Sequence, residues 1–244
     1  MKTSITRYRQ PRRAGQKGAT MVEFTVVIPL ALLLVFGIIQ LGLMYSAKSV
    51  VNEAAFVAAR AGAFQNAQVV KMTEAMTKAL IPFYQDTTVG NDYARLHEAL
   101  AAAQNETDCS GGRRCFLKIE VLNPTPAAFR DFGITSKALP DHTFIPNDNL
   151  EFRSHGERGP ESGLSIQDAN ALKIKVTYGY QIKVPLMKTV FNAIFCGVDS
   201  GIDAFGHASA TLDDNCADFY SQGRIPLVTY ATVQMQTPAW QSGG

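Results

Sequence analysis

Acidic residues are missing from the first 18 positions of this chain, and charge of either sign is missing from Phe24 to Ala47. The second absence excludes an ordinary solvated surface helix over that stretch. There is no Gly-x-Ser-x-Gly, no phosphate-binding glycine loop and no His-Glu-x-x-His, so no familiar hydrolase, nucleotide-binding or metalloprotease motif is present and no enzyme is indicated. No Cys-x-x-Cys occurs, and the four histidines (His97, His142, His155 and His207) are scattered, which argues against a zinc site; no metal or other cofactor is expected. Lys2, Arg7, Arg9, Arg12, Arg13 and Lys17 are 6 of the 23 basic residues, leaving 17 bases against 21 acids in the rest of the chain. A chain that is basic only at its start lacks the broad positive face of a nucleic-acid binder. With 46% hydrophobic and 18% charged residues, extended disorder is excluded and a packed core is expected.

The uncharged stretch is itself a strong signal. Phe24 to Tyr45 is apolar apart from Thr25 and Gln40. As a helix it is about 33 Å long at 1.5 Å per residue, enough to cross the hydrocarbon of a bilayer. The basic leader sets the N-terminus in the cytoplasm and everything after Lys48 on the far side. A secretory signal peptide is the plainer reading, but the run exceeds an ordinary apolar region of about 7–15 residues. Its best exit, Tyr45-Ser46-Ala47, puts a bulky tyrosine where a small side chain is needed. A buried core helix is disfavoured by the same length and lack of charge. Pro29 removes one helical hydrogen bond inside the span, which membrane helices tolerate when neighbours cover the freed carbonyl. Gly42 and Ser46 make one small-xxx-small pair that would admit a close helix partner.

The sharpest local motif is Lys17-Gly18-Ala19-Thr20-Met21-Val22-Glu23-Phe24. A carboxylate at the start of a membrane helix costs up to about 2.5–3.5 kcal/mol if it sits deep. Cleavage after Gly18 would give Ala19 a free amine one turn from Glu23, and in a bundle the carboxylate of one subunit would pair with the amine of the next. Standing alone, Glu23 reads as an interfacial carboxylate favoured by the helix dipole. The conjunction of Gly18, Glu23 and Phe24 with the basic leader resembles the cleavage site of type IV prepilins, in particular the TadE-like branch of tight-adherence (Tad) pilus systems. Pro29 and Phe36-Gly37-Ile38 extend the likeness, as do Asn52-Glu53-Ala54-Ala55 and Ala58-Ala59-Arg60-Ala61-Gly62. Further likenesses are Ile145-Pro146-Asn147-Asp148-Asn149, Ser165-Ile166-Gln167-Asp168-Ala169-Asn170, Arg224-Ile225-Pro226-Leu227 and Thr232 to Pro238. It covers most of the chain and is strongest over residues 12–63. The resemblance implies a minor pilin or pseudopilin. About 200 residues beyond the membrane are too many for the short major Flp pilin.

The pattern beyond Lys48 predicts an α+β fold: a transmembrane and stalk helix, then an exported domain with helices and an antiparallel sheet. Residues 1–18 are a basic leader, 19–63 the transmembrane and stalk helix, and 64–244 the exported domain. Helices are expected over Val69–Leu80, stopped by Pro82, over Asp92–Gln104, with Arg95, Glu98 and Gln104 on a solvated face, and over Pro185–Phe195. Strands are expected over Phe116–Leu122, Leu172–Val184 and Ile225–Val233. Residues 135–168, rich in Pro and Gly, read as one long mobile surface loop region. Cys109, Cys115, Cys196 and Cys216 all fall on the exported side, so two disulfides are expected. Sequence proximity favours Cys109–Cys115 and Cys196–Cys216, with the other two connectivities open. Asp199, Ser200, Asp203 and Asp213 to Asn215 lack calcium-loop spacing and read, like His207, as ordinary surface groups.

The expected function is assembly of a Tad-type pilus, with adhesion or biofilm formation through it. The processing site is Gly18 and Ala19; Glu23, Phe24 and Pro29 pack the filament. The expected partners are a prepilin peptidase, other pilins and pseudopilins contacted through the N-terminal helix, and a bacterial inner membrane crossed once, with the C-terminal domain periplasmic or carried into the pilus at the cell surface. No nucleic acid is expected. A pilus-displayed adhesin and an uncleaved signal-anchored envelope protein are the alternatives.

Overall fold

A computed structural model describes residues 19–88, 90–109, 115–136, 139–154, 156–195 and 219–241. Helix α1 (Ala19–Phe64) is 46 residues long and runs without a break through Pro29. Its two halves differ in side-chain size. After Ala47, Val51, Ala54, Ala55, Ala58, Ala59 and Ala63 recur every three or four residues and are buried. That stripe of small side chains lets the helix approach its neighbours closely. It packs against α2 (Val69–Ala79) and against strands β4 (Ala171–Gln181) and β5 (Arg224–Gln234).

The C-terminal end of α1 is closed by the other end of the chain. The amides of Gln236 and Thr237 donate to the Ala63 carbonyl at 2.9 and 3.1 Å, and Asn66 Nδ2 donates to the Pro238 carbonyl at 2.8 Å. These bonds satisfy groups that a helix end leaves open. They give the Thr232 to Pro238 motif a structural task. Asn66 and Ala67 turn the chain away at φ 55° and 58°.

Two three-stranded antiparallel sheets follow. The larger has the order β1-β4-β5, with β1 at Leu117–Asn123. Its central strand β4 buries Leu172, Ile174, Val176, Tyr178 and Tyr180 in alternation, the mark of one face turned to the core. Helices α3 (Ile81–Tyr84) and α4 (Asp92–Thr107) flank it; Pro82 lies in the first turn of α3, where its missing N–H costs nothing.

The stretch 135–168 is not one loop. It forms part of a second sheet, β2 (Ile134–Ser136), β3 (Leu139–Ile145) and the distant β6 (Ala239–Trp240), followed by a 3-10 turn at Leu150–Phe152 and helix α6 (Ile166–Ala169). The strands are short, and one partner lies a hundred residues away, so no local alternation announces them. Helix α5 (Pro126–Phe132), capped by Thr125 Oγ1 accepting from the Ala128 amide at 3.1 Å, is a further element absent from the expectation. Gly159 passes so close to Asp131 that a β-carbon there would lie 2.2 Å from Oδ2. The Asp131 carboxylate accepts from the Glu161 and Ser162 amides at 3.2 and 2.7 Å, and the Ser162 side chain, with these amides, holds its carboxyl below the usual range. The two middle motifs meet in space: Asn170, fully buried, donates to the Pro146 and Ile166 carbonyls at 3.0 and 2.9 Å.

Candidate functional site: the bare half of the first helix

Ala19 opens α1, and Gly18 lies outside the described residues. Glu23 is one helical turn further on and exposed. Phe24 and Pro29 are exposed as well, as are Met21, Leu30, Leu34, Ile38 and Leu41. So the helix carries an apolar surface around its full circumference before the domain begins. Thr25, the first polar residue inside the uncharged run, returns its hydroxyl to the Met21 carbonyl at 2.8 Å and so presents no free donor. A β-carbon at Gly37 or Gly42 would meet nothing within 4 Å, so both glycines leave open space for an approaching helix. By length and composition, α1 is able to cross a membrane.

Two polar side chains mark where the bare half ends. Gln40 is fully buried although it belongs to the apolar run, and its Oε1 accepts from the Val184 amide at 3.2 Å. Lys48, the first charge after the run, donates its ammonium to the Val228 carbonyl at β5. Neither role was legible from sequence. A lone Gln in an apolar run and a Lys behind it carry no sign of partners 144 and 180 residues away.

Residues 18–60 match the family model described as TadE-like protein. Over that segment the chain is similar to TadE-like proteins. The match begins at Gly18 and ends in the buried alanine stripe, so it takes in the Gly18 to Phe24 motif, the bare apolar helix and the part of α1 that the domain packs on. It supports a protein associated with tight-adherence pili. No curated protein and no solved structure matches the chain.

The structure joins Cys109 to Cys115, with Cα atoms 4.8 Å apart. Cys196, Cys216, Asp199, Ser200, Asp203, Asp213 to Asn215 and His207 lie outside the described residues. Among the described residues no group of three or more His, Cys, Asp or Glu is placed to hold a metal.

Next to the disulfide, Arg224 organises the end of the sheet at which β5 begins. Its guanidinium lies 3.6 Å from the centre of the Phe116 ring and donates to the Gly179 carbonyl at 3.0 Å and to Glu106 Oε1 at 2.9 Å. Beside it is an open cleft of about 340 Å³ that Phe83, Tyr84, Glu106, Tyr178, Tyr180 and Arg224 help to line. The Tyr84 and Tyr178 hydroxyls are hydrogen-bonded to each other. Burial raises both phenols above the ordinary value, and for Tyr84 the neighbouring Tyr178 adds to the rise.

Proposed function

We propose that this chain is a minor pilin or pseudopilin of a Tad-type pilus. A prepilin peptidase cuts it after Gly18, and α1 is then the element that enters the filament. The observation that carries this reading is the division of α1. One half is buried as the spine of the domain, the other is bare and apolar, and the TadE-like match runs across both. A helix built this way anchors the subunit in the inner membrane, with the N-terminus cytoplasmic and the domain periplasmic. It then exchanges lipid for the apolar helices of neighbouring pilins with little change in solvation, since lipid chains and leucine side chains are equally apolar. Glu23 pairs with the Ala19 amine of a neighbour, which sets the axial register. Phe24 and the break in hydrogen bonding at Pro29 shape the contact above it. The domain rides at the tip or base of the pilus, and adhesion follows from that placement. The Cys109–Cys115 bond suits an oxidising compartment, and Cys196–Cys216 is its proposed counterpart.

Mass spectrometry of the cellular protein tests the reading. The expected N-terminus is Ala19, and the intact leader should return when the prepilin peptidase is removed. An intact leader in the presence of the peptidase would refute processing. Glu23→Ala should insert normally yet reduce piliation; normal piliation would remove Glu23 from assembly.

A further inference from the structure

The domain does more than hang from α1. Its lower edge reaches down the helix to the level of Gln40, inside the apolar run. Sixteen residues separate Phe24 from Gln40, which is about 24 Å of helix. The hydrocarbon of a bilayer is about 30 Å thick, so a helix entering at Phe24 still has about 6 Å of hydrocarbon above Gln40. The element at that level is helix α7 (Met187–Phe195), which packs against α1.

Helix α7 is amphipathic. Met187 is buried and Val190 and Phe191 are half-buried, while Lys188, Thr189 and Asn192 are exposed. Leu186 and Ile194 nevertheless show 64% and 41% of their surface. Leu186 is held at φ 67°, a left-handed conformation that strains any residue with a β-carbon. A strained turn that lifts a leucine into water is unfavourable on both counts. The same turn is reasonable if the leucine enters hydrocarbon, where burial of its side chain offsets the strain. The charge pattern agrees. The only charged residue of α7 is Lys188, which is exposed, and a cation on the polar side of such a helix meets lipid phosphates. The surface is also continuous with α1. At this level Ile38, Leu41 and Tyr45 are exposed, Tyr45 at 82%, so the bilayer that covers them lies alongside α7.

From this juxtaposition we infer that α7 and the Pro185–Leu186 turn are a second membrane contact: an interfacial helix seated in the outer face of the bilayer that α1 crosses, at the depth of about 5–10 Å usual for such helices. It rests on the reading of α1 as a membrane span. Held at two points, the domain cannot swing about α1, and the Gln40–Val184 bond fixes the depth of one helix against the other.

The test uses the full chain in vesicles of phosphatidylethanolamine and phosphatidylglycerol carrying bromine on the acyl chains. Trp240 is the only tryptophan, so Trp240→Phe gives a dark background. Single tryptophans then go to position 186, position 194, the span (Leu33→Trp) and a distant exposed site (Phe152→Trp). The substituted side chains at 186, 194 and 152 are all exposed, so none of these changes enters the core. Leu186→Trp and Ile194→Trp should lose at least half their emission to brominated lipid, as Leu33→Trp does, while Phe152→Trp does not. Emission at 186 and 194 that is indifferent to bromine but open to an aqueous quencher, with Leu33→Trp quenched, would overturn the second contact and leave the span intact. Shielding from both quenchers would show a neighbouring protein on α7 and overturn the lipid assignment. An unquenched Leu33→Trp would remove the span and this inference with it.

Discussion

The tyrosine pair is the residue-scale feature with the clearest consequence. Tyr178 is almost wholly buried on β4, and its hydroxyl meets that of Tyr84 at the end of α3. Both phenols titrate above the ordinary value of about 10 because burial disfavours the phenolate. Below pH 10 the phenols are protonated in the folded and unfolded chain alike, and the contribution of the pair is fully present. Above it the unfolded chain releases protons that the folded chain retains, so stability falls as pH rises towards the folded-state values. Full-length protein in detergent should therefore unfold more readily in alkali. Part of the phenolate absorbance of its eight tyrosines should appear only with loss of tertiary structure. Tyr84→Phe removes the partner of a buried hydroxyl and should cost about 1–3 kcal/mol near neutrality. A variant as stable as the parent would show that the pair contributes nothing. Arg224 is held more rigidly, by stacking and two hydrogen bonds at once. Arg224→Lys should not restore what Arg224→Ala loses, because an ammonium cannot stack flat on Phe116 while donating to Gly179 and Glu106. Thermal melts of the two variants check this; equal stability of Arg224→Lys and the parent would refute it.

Among the elements, α1 sets the packing through what its side chains leave out. Gly62 lies against Met72 of α2 and Leu172 of β4, and an added β-carbon would come within 2.6 Å of the Met72 Sδ and 2.9 Å of the Leu172 Cδ2. Both neighbours are fully buried. Gly62→Ala gains about 1 kcal/mol of helix propensity against a small shift of two flexible side chains, so its net effect should be slight. Gly62→Leu cannot be absorbed that way and should destabilise by about 1–3 kcal/mol or more. An unchanged thermal midpoint for Gly62→Leu would mean that α1 and α2 are free to separate. The same element shows what a sequence reveals and what it withholds. The long helix, β1, β4 and β5 are legible because their periodicity persists over seven or more residues. Helix α5 and strands β2, β3 and β6 are not: β2 and β6 have three and two residues, α5 makes only about two turns, and β3 takes its second partner, β6, from the far end of the chain. At the candidate site, Gly18, Glu23 and Phe24 stand out by residue type and spacing. Gln40 and Lys48 do not, since their partners are backbone groups remote in sequence, the Val184 amide before α7 and the Val228 carbonyl of β5.

For the molecule as a whole, the question is where the anchor stops and the domain starts. A boundary near residue 63 follows composition, yet Ala47 to Ala63 supply the surface on which α2, β4 and β5 close. The C-terminal strand also ties its amides to Ala63. A chain beginning near Gln65 would lack that spine and expose the apolar faces that close on it. It should show near-native sheet content but no fixed tertiary signal, and it should aggregate. A chain beginning near Ala47 keeps the spine and loses the bare apolar half, together with the Gln40 bond and the packing of α7 on α1. It should be soluble, with protected amides in β4 and β5 by hydrogen exchange. Equal folding of the two fragments would show that α1 is a detachable stalk. The predicted difference bears on assembly. If the spine is indispensable, whatever fixes the bare half of α1 in a filament also fixes the orientation of the domain, with no hinge between them. A flexible insertion after Ala47 should then unfold the subunit rather than lengthen its reach.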